Sequence, residues 1–144
     1  MAEVLLTRKG FPDFTGYSAG STPAGYVHPE ALKQLRKAGL PTEGLRSKSW
    51  EEFSGAHAPV MHFVFTVCDG AANEVCPVWP GQPMSGRWGV PDPAAVQGTP
   101  EQVERAFAEA YRTLERRISL FLALPLATLE KEAMQREIDR IGKS

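Results

Sequence analysis

The clearest pattern in the chain is the run Val60-Met61-His62-Phe63-Val64-Phe65-Thr66-Val67, apolar at nearly every position and rich in β-branched and aromatic residues. A strand wetted on one face would alternate. An unbroken run fits a strand covered on both faces, as in a parallel sheet. Cys68 lies next, at its C-terminal end, the edge at which open α/β sheets bind ligands. Beyond Thr99 the period changes. Val103, Ala106, Phe107, Ala110, Leu114, Ile118 and Phe121 recur at helical spacing and predict a long helix to about Ala123. Thr99 is placed to cap it and Pro100 to take its first position, where a missing N–H is harmless.

The remaining elements are shorter. Met1–Lys9 reads as a helix stopped at Gly10, and Phe14–Ala19 as a short strand ending at Gly20. His28-Pro29-Glu30 starts a helix that runs to about Ala38 and stops at Gly39. Ser49 is expected to cap a short helix through Glu52, with Glu52 completing a reciprocal cap. Residues 69–99 are mostly loop, punctuated by Pro77, Pro80, Pro83, Pro91 and Pro93, with a strand expected over Met84–Val90. Pro125 breaks the long helix, and Ala127–Ile141 reads as a final amphipathic helix. Strands alternating with helices make the chain α/β.

Length, charge and composition then narrow the function. The 144 residues suit one domain with a real core. A formal net charge of -1 gives no footprint for nucleic acid or an anionic membrane. The most apolar stretch, Leu114–Leu126, is interrupted by Glu115, Arg116 and Arg117, so no membrane span is predicted. The start, Met1-Ala2-Glu3 with Arg8 and Lys9 behind it, has the reverse of a signal peptide's charge order. A cytoplasmic location is therefore expected.

The two cysteines, Cys68 and Cys76, stand eight apart, the first at a strand end and the second beyond Gly70-Ala71-Ala72. A folded-back loop would let them meet, which a disulfide requires. The spacing does not fit a zinc knuckle, and no metal site is expected. Spacing by itself favours two unrelated buried thiols. Asp92, in Pro91-Asp92-Pro93, reads on composition as a turn residue. His28, His57 and His62 read as structural. Trp79 and Trp88 either line a site mouth or pack the loop, and Arg46 and Lys48 either steer an anion or form a solvated turn.

Five blocks change the weight of these readings: Tyr17-Ser18-Ala19-Gly20-Ser21, Gly44-Leu45-Arg46-Ser47-Lys48-Ser49, Thr66-Val67-Cys68-Asp69, Cys76-Pro77-Val78-Trp79-Pro80-Gly81 and Pro91-Asp92-Pro93-Ala94-Ala95. In order and interval they resemble the thiol-coupled arsenate reductases of the low-molecular-weight protein tyrosine phosphatase superfamily. The resemblance implies a three-layer parallel sheet flanked by helices over residues 1–123, with 124–144 a C-terminal helical extension. It implies arsenate or a phosphate-like oxyanion as substrate, thioredoxin or glutaredoxin as reductant, and no cofactor. In such a relay a first thiolate attacks arsenic, a second attacks the adduct and releases arsenite, and a third relieves the second. By motif, Cys68 matches the second thiol, Cys76 the third, and Asp92 the acid that protonates a leaving oxygen. Glu3 and Ser18 match positions that help to place the anion loop.

The front of the chain departs from that pattern. Met1-Ala2-Glu3 matches the residues just after the family's Cys-x5-Arg-Ser loop, so the first central strand, the anion loop and the primary nucleophile are expected to lie upstream, lost to a misassigned start or clipping. The alternatives are a non-catalytic remnant acting as an interaction module, assembling through exposed sheet edges as a homodimer or with a partner, and a tyrosine phosphatase. The last is disfavoured because a tyrosine is preferred where Ala94 stands and further thiols are not needed.

Overall fold

The computed structural model describes residues 1–20, 23–55, 57–68 and 83–144, with residue 68 as backbone. The unbroken apolar run does form a strand, β1 (Phe63–Cys68), and it pairs in parallel with β2 (Met84–Val90). With the four helices among the described residues this makes the α/β architecture expected from the pattern. Along β2, Gly86, Trp88 and Val90 are buried while Ser85 and Arg87 are exposed. One face of the sheet therefore turns to the core.

Local chemistry sets the helix ends. Helix α1 spans Ala2–Lys9 and buries Val4 and Leu5. Helix α2, Pro29–Lys37, starts where His28 Nδ1 accepts the Glu30 N–H at 3.1 Å. It is closed by Gly39 at φ +74°, a conformation that favours glycine. Helix α3, Pro100–Leu122, carries a complete capping box: Thr99 Oγ1 accepts from Gln102 N, and Gln102 Oε1 accepts from Thr99 N. Helix α4, Lys131–Gly142, begins later than periodicity predicts. Thr128 and Leu129 both donate their N–H groups to Pro125 O, which winds the preceding residues into a turn.

Two other expectations are revised. Phe14–Ala19 is not a strand, and only an isolated bridge joins Gly20 to Ser49. Its backbone groups are engaged elsewhere, since Gly16 N donates to Thr7 Oγ1 at 2.8 Å and Phe14 N to Gly10 O at 2.9 Å. Ser49 does cap a short 3₁₀ turn at Trp50–Phe53, accepting from Glu51 N. Glu52, however, reaches to Arg46 instead of closing a reciprocal cap.

The core gathers Leu5, Trp88, Leu114, Ile118, Phe121, Ile138 and Ile141 from α1, β2, α3 and α4. Phe65 stacks on Trp88 at 3.9 Å between ring centroids, and Phe121 meets both edge-on. Helix α4 lies against β2, where Trp88 Nε1 donates to Ile138 O at 3.0 Å and Gln135 Nε2 to Ser85 O at 2.8 Å. Gly86 makes that approach possible. A Cβ there would stand 2.5 Å from Ile138 Cγ2 and 3.1 Å from the Phe65 ring. At the surface, Glu104 of α3 pairs with Lys33 and Lys37 of α2. Among the described residues no helix is long and apolar enough to cross a membrane.

Two substitutions probe this packing. Gly86→Ala is expected to lower unfolding free energy by about 1–3 kcal/mol through overpacking, measured by urea titration. Ile138→Ala should lose about 2–5 kcal/mol, because α4 shares the core with α1 and α3. A change below about 1 kcal/mol there would contradict that packing.

Candidate active site

Parallel strands end on the same side, so the C-terminal ends of β1 and β2 form one edge. The register runs Phe63 with Met84, Val64 with Ser85, Phe65 with Gly86 and Thr66 with Arg87, then shifts so that Cys68 faces Val90. From Thr66 to Cys68 β1 advances two residues while β2 advances three. The extra residue is a bulge at Trp88-Gly89, a device that bends a strand and re-aims the residues beyond it.

Beyond the bulge lies the Pro91-Asp92-Pro93 segment. Asp92 stands two residues past the partner of Cys68, so the structure brings these two candidate residues to one edge. The Asp92 carboxylate accepts the Ala94 N–H at 2.9 Å and caps a 3₁₀ turn over Pro93–Ala95. It is exposed. Cys76 and Trp79 lie outside the described residues. Trp88 has the packing role: it is 2% exposed and donates into α4.

Sequence reasoning misses Arg117. It lies on the buried stripe of α3 with Leu114, Ile118 and Phe121 and is only 7% exposed. Its Nη1 donates to Trp88 O at 2.7 Å and Gly89 O at 3.2 Å, and its Nη2 to Ser144 O at 3.2 Å. The signal that could have found it is a charged residue three places after Leu114 on an otherwise apolar stripe.

The other candidates separate into paired and structural groups. Ser18 Oγ donates to Glu3 Oε1 at 2.8 Å, and Lys48 Nζ, largely buried, donates to the same oxygen at 3.2 Å. Glu3 and Ser18 are thus in direct contact. Arg46 forks onto Glu52, and that hydrogen bond holds the Glu52 carboxyl below the usual carboxylate range. Both cations are paired to carboxylates, Arg46 in an exposed turn as expected, whereas Lys48 is largely buried on Glu3 and is not part of a solvated turn. His28 caps α2 and packs on Phe107 at 4.5 Å. His57 and His62 are exposed, and His62 precedes β1, at the opposite end from Cys68.

Known proteins bear on this geometry. The chain is 32% identical over 125 residues to an arsenate reductase of Bacillus licheniformis, covering 84% of each chain. It is 30% identical over 105 residues to one from Oceanobacillus iheyensis, covering 73% of this chain and 72% of the relative. The crystal structure of arsenate reductase from Archaeoglobus fulgidus superposes with a TM-score of 0.53 at 19% identity, over 82% of this chain and 87% of that one, which shows a common fold. The family model of low molecular weight phosphotyrosine protein phosphatases matches residues 1–136, and the chain belongs to that family.

Proposed function

We propose that this protein is an arsenate reductase in which Cys68 and Cys76 are the second and third thiols of a relay and Asp92 is its acid. The observation that best supports the reading is the strand register. Cys68 ends β1 opposite Val90, and Asp92 comes two residues later at the same edge. Its relatives named arsenate reductase support the substrate.

The relay balances in atoms and electrons. A first thiolate attacks arsenic(V), and the leaving oxygen departs as water after taking a proton from Asp92. The Cys68 thiolate then attacks the sulfur of that adduct. The S–As bond breaks, its electron pair stays on arsenic, and arsenic(III) leaves as arsenite. Cys76 next attacks Cys68, frees the first thiol and closes a Cys68–Cys76 disulfide, which a dithiol reductant of the thioredoxin or glutaredoxin class reopens. Two thiols are oxidised for each arsenate reduced. The 144 residues contain two cysteines and no Cys-x5-Arg, so the first attack falls to a thiol they do not supply.

The family name favours a second reading, a phosphotyrosine phosphatase. Phosphoester hydrolysis has no use for a resolving pair of thiols, and Asp92 is succeeded by Pro93-Ala94 without a tyrosine. A non-catalytic interaction module would need neither thiols nor acid.

Arsenate-dependent oxidation of NADPH, coupled through thioredoxin and its reductase, separates these readings. The 144 residues by themselves should give no turnover, and sustained turnover would contradict the need for a further thiol. With the chain extended by a Cys-x5-Arg segment, Cys76→Ser should stop after one turnover, whereas repeated turnover would remove Cys76 from the relay. In the same background Asp92→Asn should lower kcat by about 10²- to 10⁴-fold. Faster release of phosphate from an aryl phosphate than arsenite from arsenate would favour the phosphatase.

A further inference from the structure

A bulge leaves backbone groups out of the ladder, and buried carbonyls without donors are destabilising. In β2 the residues concerned are Trp88 and Gly89, and one Arg117 nitrogen donates to both carbonyls, at 2.7 and 3.2 Å. Burying a guanidinium is unfavourable unless its hydrogen bonds compensate. Were packing all that this place on the α3 stripe required, leucine or methionine would serve it better. The guanidinium does something they cannot: its Nη1 holds two successive carbonyls at once, while its Nη2 is itself fixed on Ser144 O.

Those carbonyls sit directly before the candidate acid. Val90 is buried, Pro91 and Pro93 each fix φ near about −65°, and the Asp92 carboxylate closes onto Ala94 N. Few soft torsions remain between the bulge and Asp92. The 3₁₀ turn that Asp92 caps also packs against α3, the helix that carries Arg117.

We propose that Arg117 is a positioning residue: by pinning the Trp88-Gly89 bulge it sets the direction in which Val90-Pro91-Asp92-Pro93 leaves the sheet, and so where Asp92 stands relative to Cys68. Its consequence for catalysis rests on the reading of Asp92 as the acid. The positioning itself does not. Arg117 acts through the backbone carbonyls that it holds.

The test is ¹⁵N relaxation on the 144-residue chain. Arg117→Met keeps apolar bulk and removes the guanidinium. Order parameters at Ala94 and Ala95 should fall from about 0.85 to below about 0.6 while those of Val103–Ala110 in α3 stay near about 0.85. Arg117→Lys, which retains a charge but presents a single point donor, should fall between the two and serves if the methionine variant is too unstable to study. Wild-type order at Ala94 in either folded variant would overturn the proposal, and so would a uniform loss across α3 and α4, the mark of a merely structural arginine. Asp92→Asn separates the two claims. Unchanged turnover in the extended chain would remove Asp92 as the acid while leaving the Arg117 result intact.

Discussion

Two paired strands bury too little to be stable alone in water, and what joins β1 to β2 here is an aromatic cluster gathered round Phe121. Its ring lies edge-on to Phe63, Phe65 and Trp88, at 4.9 to 5.9 Å between centroids, and meets Phe14 from the α1 side. Such contacts add about 0.5–1.5 kcal/mol each beyond area burial. The cluster therefore holds one strand against the other and both against α3. Helix α4 completes the arrangement, made close by Gly86 and held by the bond from Trp88 Nε1 to Ile138 O.

This packing reaches the chemistry through Trp88. The residue that stacks on Phe65 in the core also lies in the bulge, and its carbonyl is held by Arg117. A rigid core and an exposed acid are thus a few residues apart along the chain. Catalytic groups are best carried in this way, on loops set by regular elements. The two cysteines are placed differently, one at a strand end and the other eight residues on along the chain.

Much of the fold is legible in the sequence because it is written locally. The apolar run of β1, the stripe of α3, Thr99-Pro100 and His28-Pro29 all carry their meaning in neighbouring residues. The errors arise where tertiary bonds intervene. Phe14–Ala19 has strand composition, yet Thr7 takes the Gly16 N–H. Ala127–Glu130 has helical residues, yet Pro125 O draws Thr128 and Leu129 into a turn. Of the candidate site, the sequence motifs supply Cys68, Cys76 and Asp92 only through resemblance, since the shared edge of Cys68 and Asp92 depends on a parallel register that chain spacing does not contain. Arg117 is legible as a charge on the apolar stripe of α3, but what it binds is not. Its partners are the carbonyls of the two bulge residues, and no periodicity announces a bulge.

The relay stands or falls on Cys68 and Cys76 forming a working redox pair, and that can be tested without arsenate. The 144-residue chain would be equilibrated in thioredoxin-range dithiol buffers, alkylated, and its intact mass and free thiols read at each potential. A working pair should give one reversible two-electron transition, to a monomer about 2 Da lighter with no free thiol, near the thioredoxin potential of about −270 mV. Two thiols that stay free under oxidising conditions, or that pair only between molecules, would contradict it.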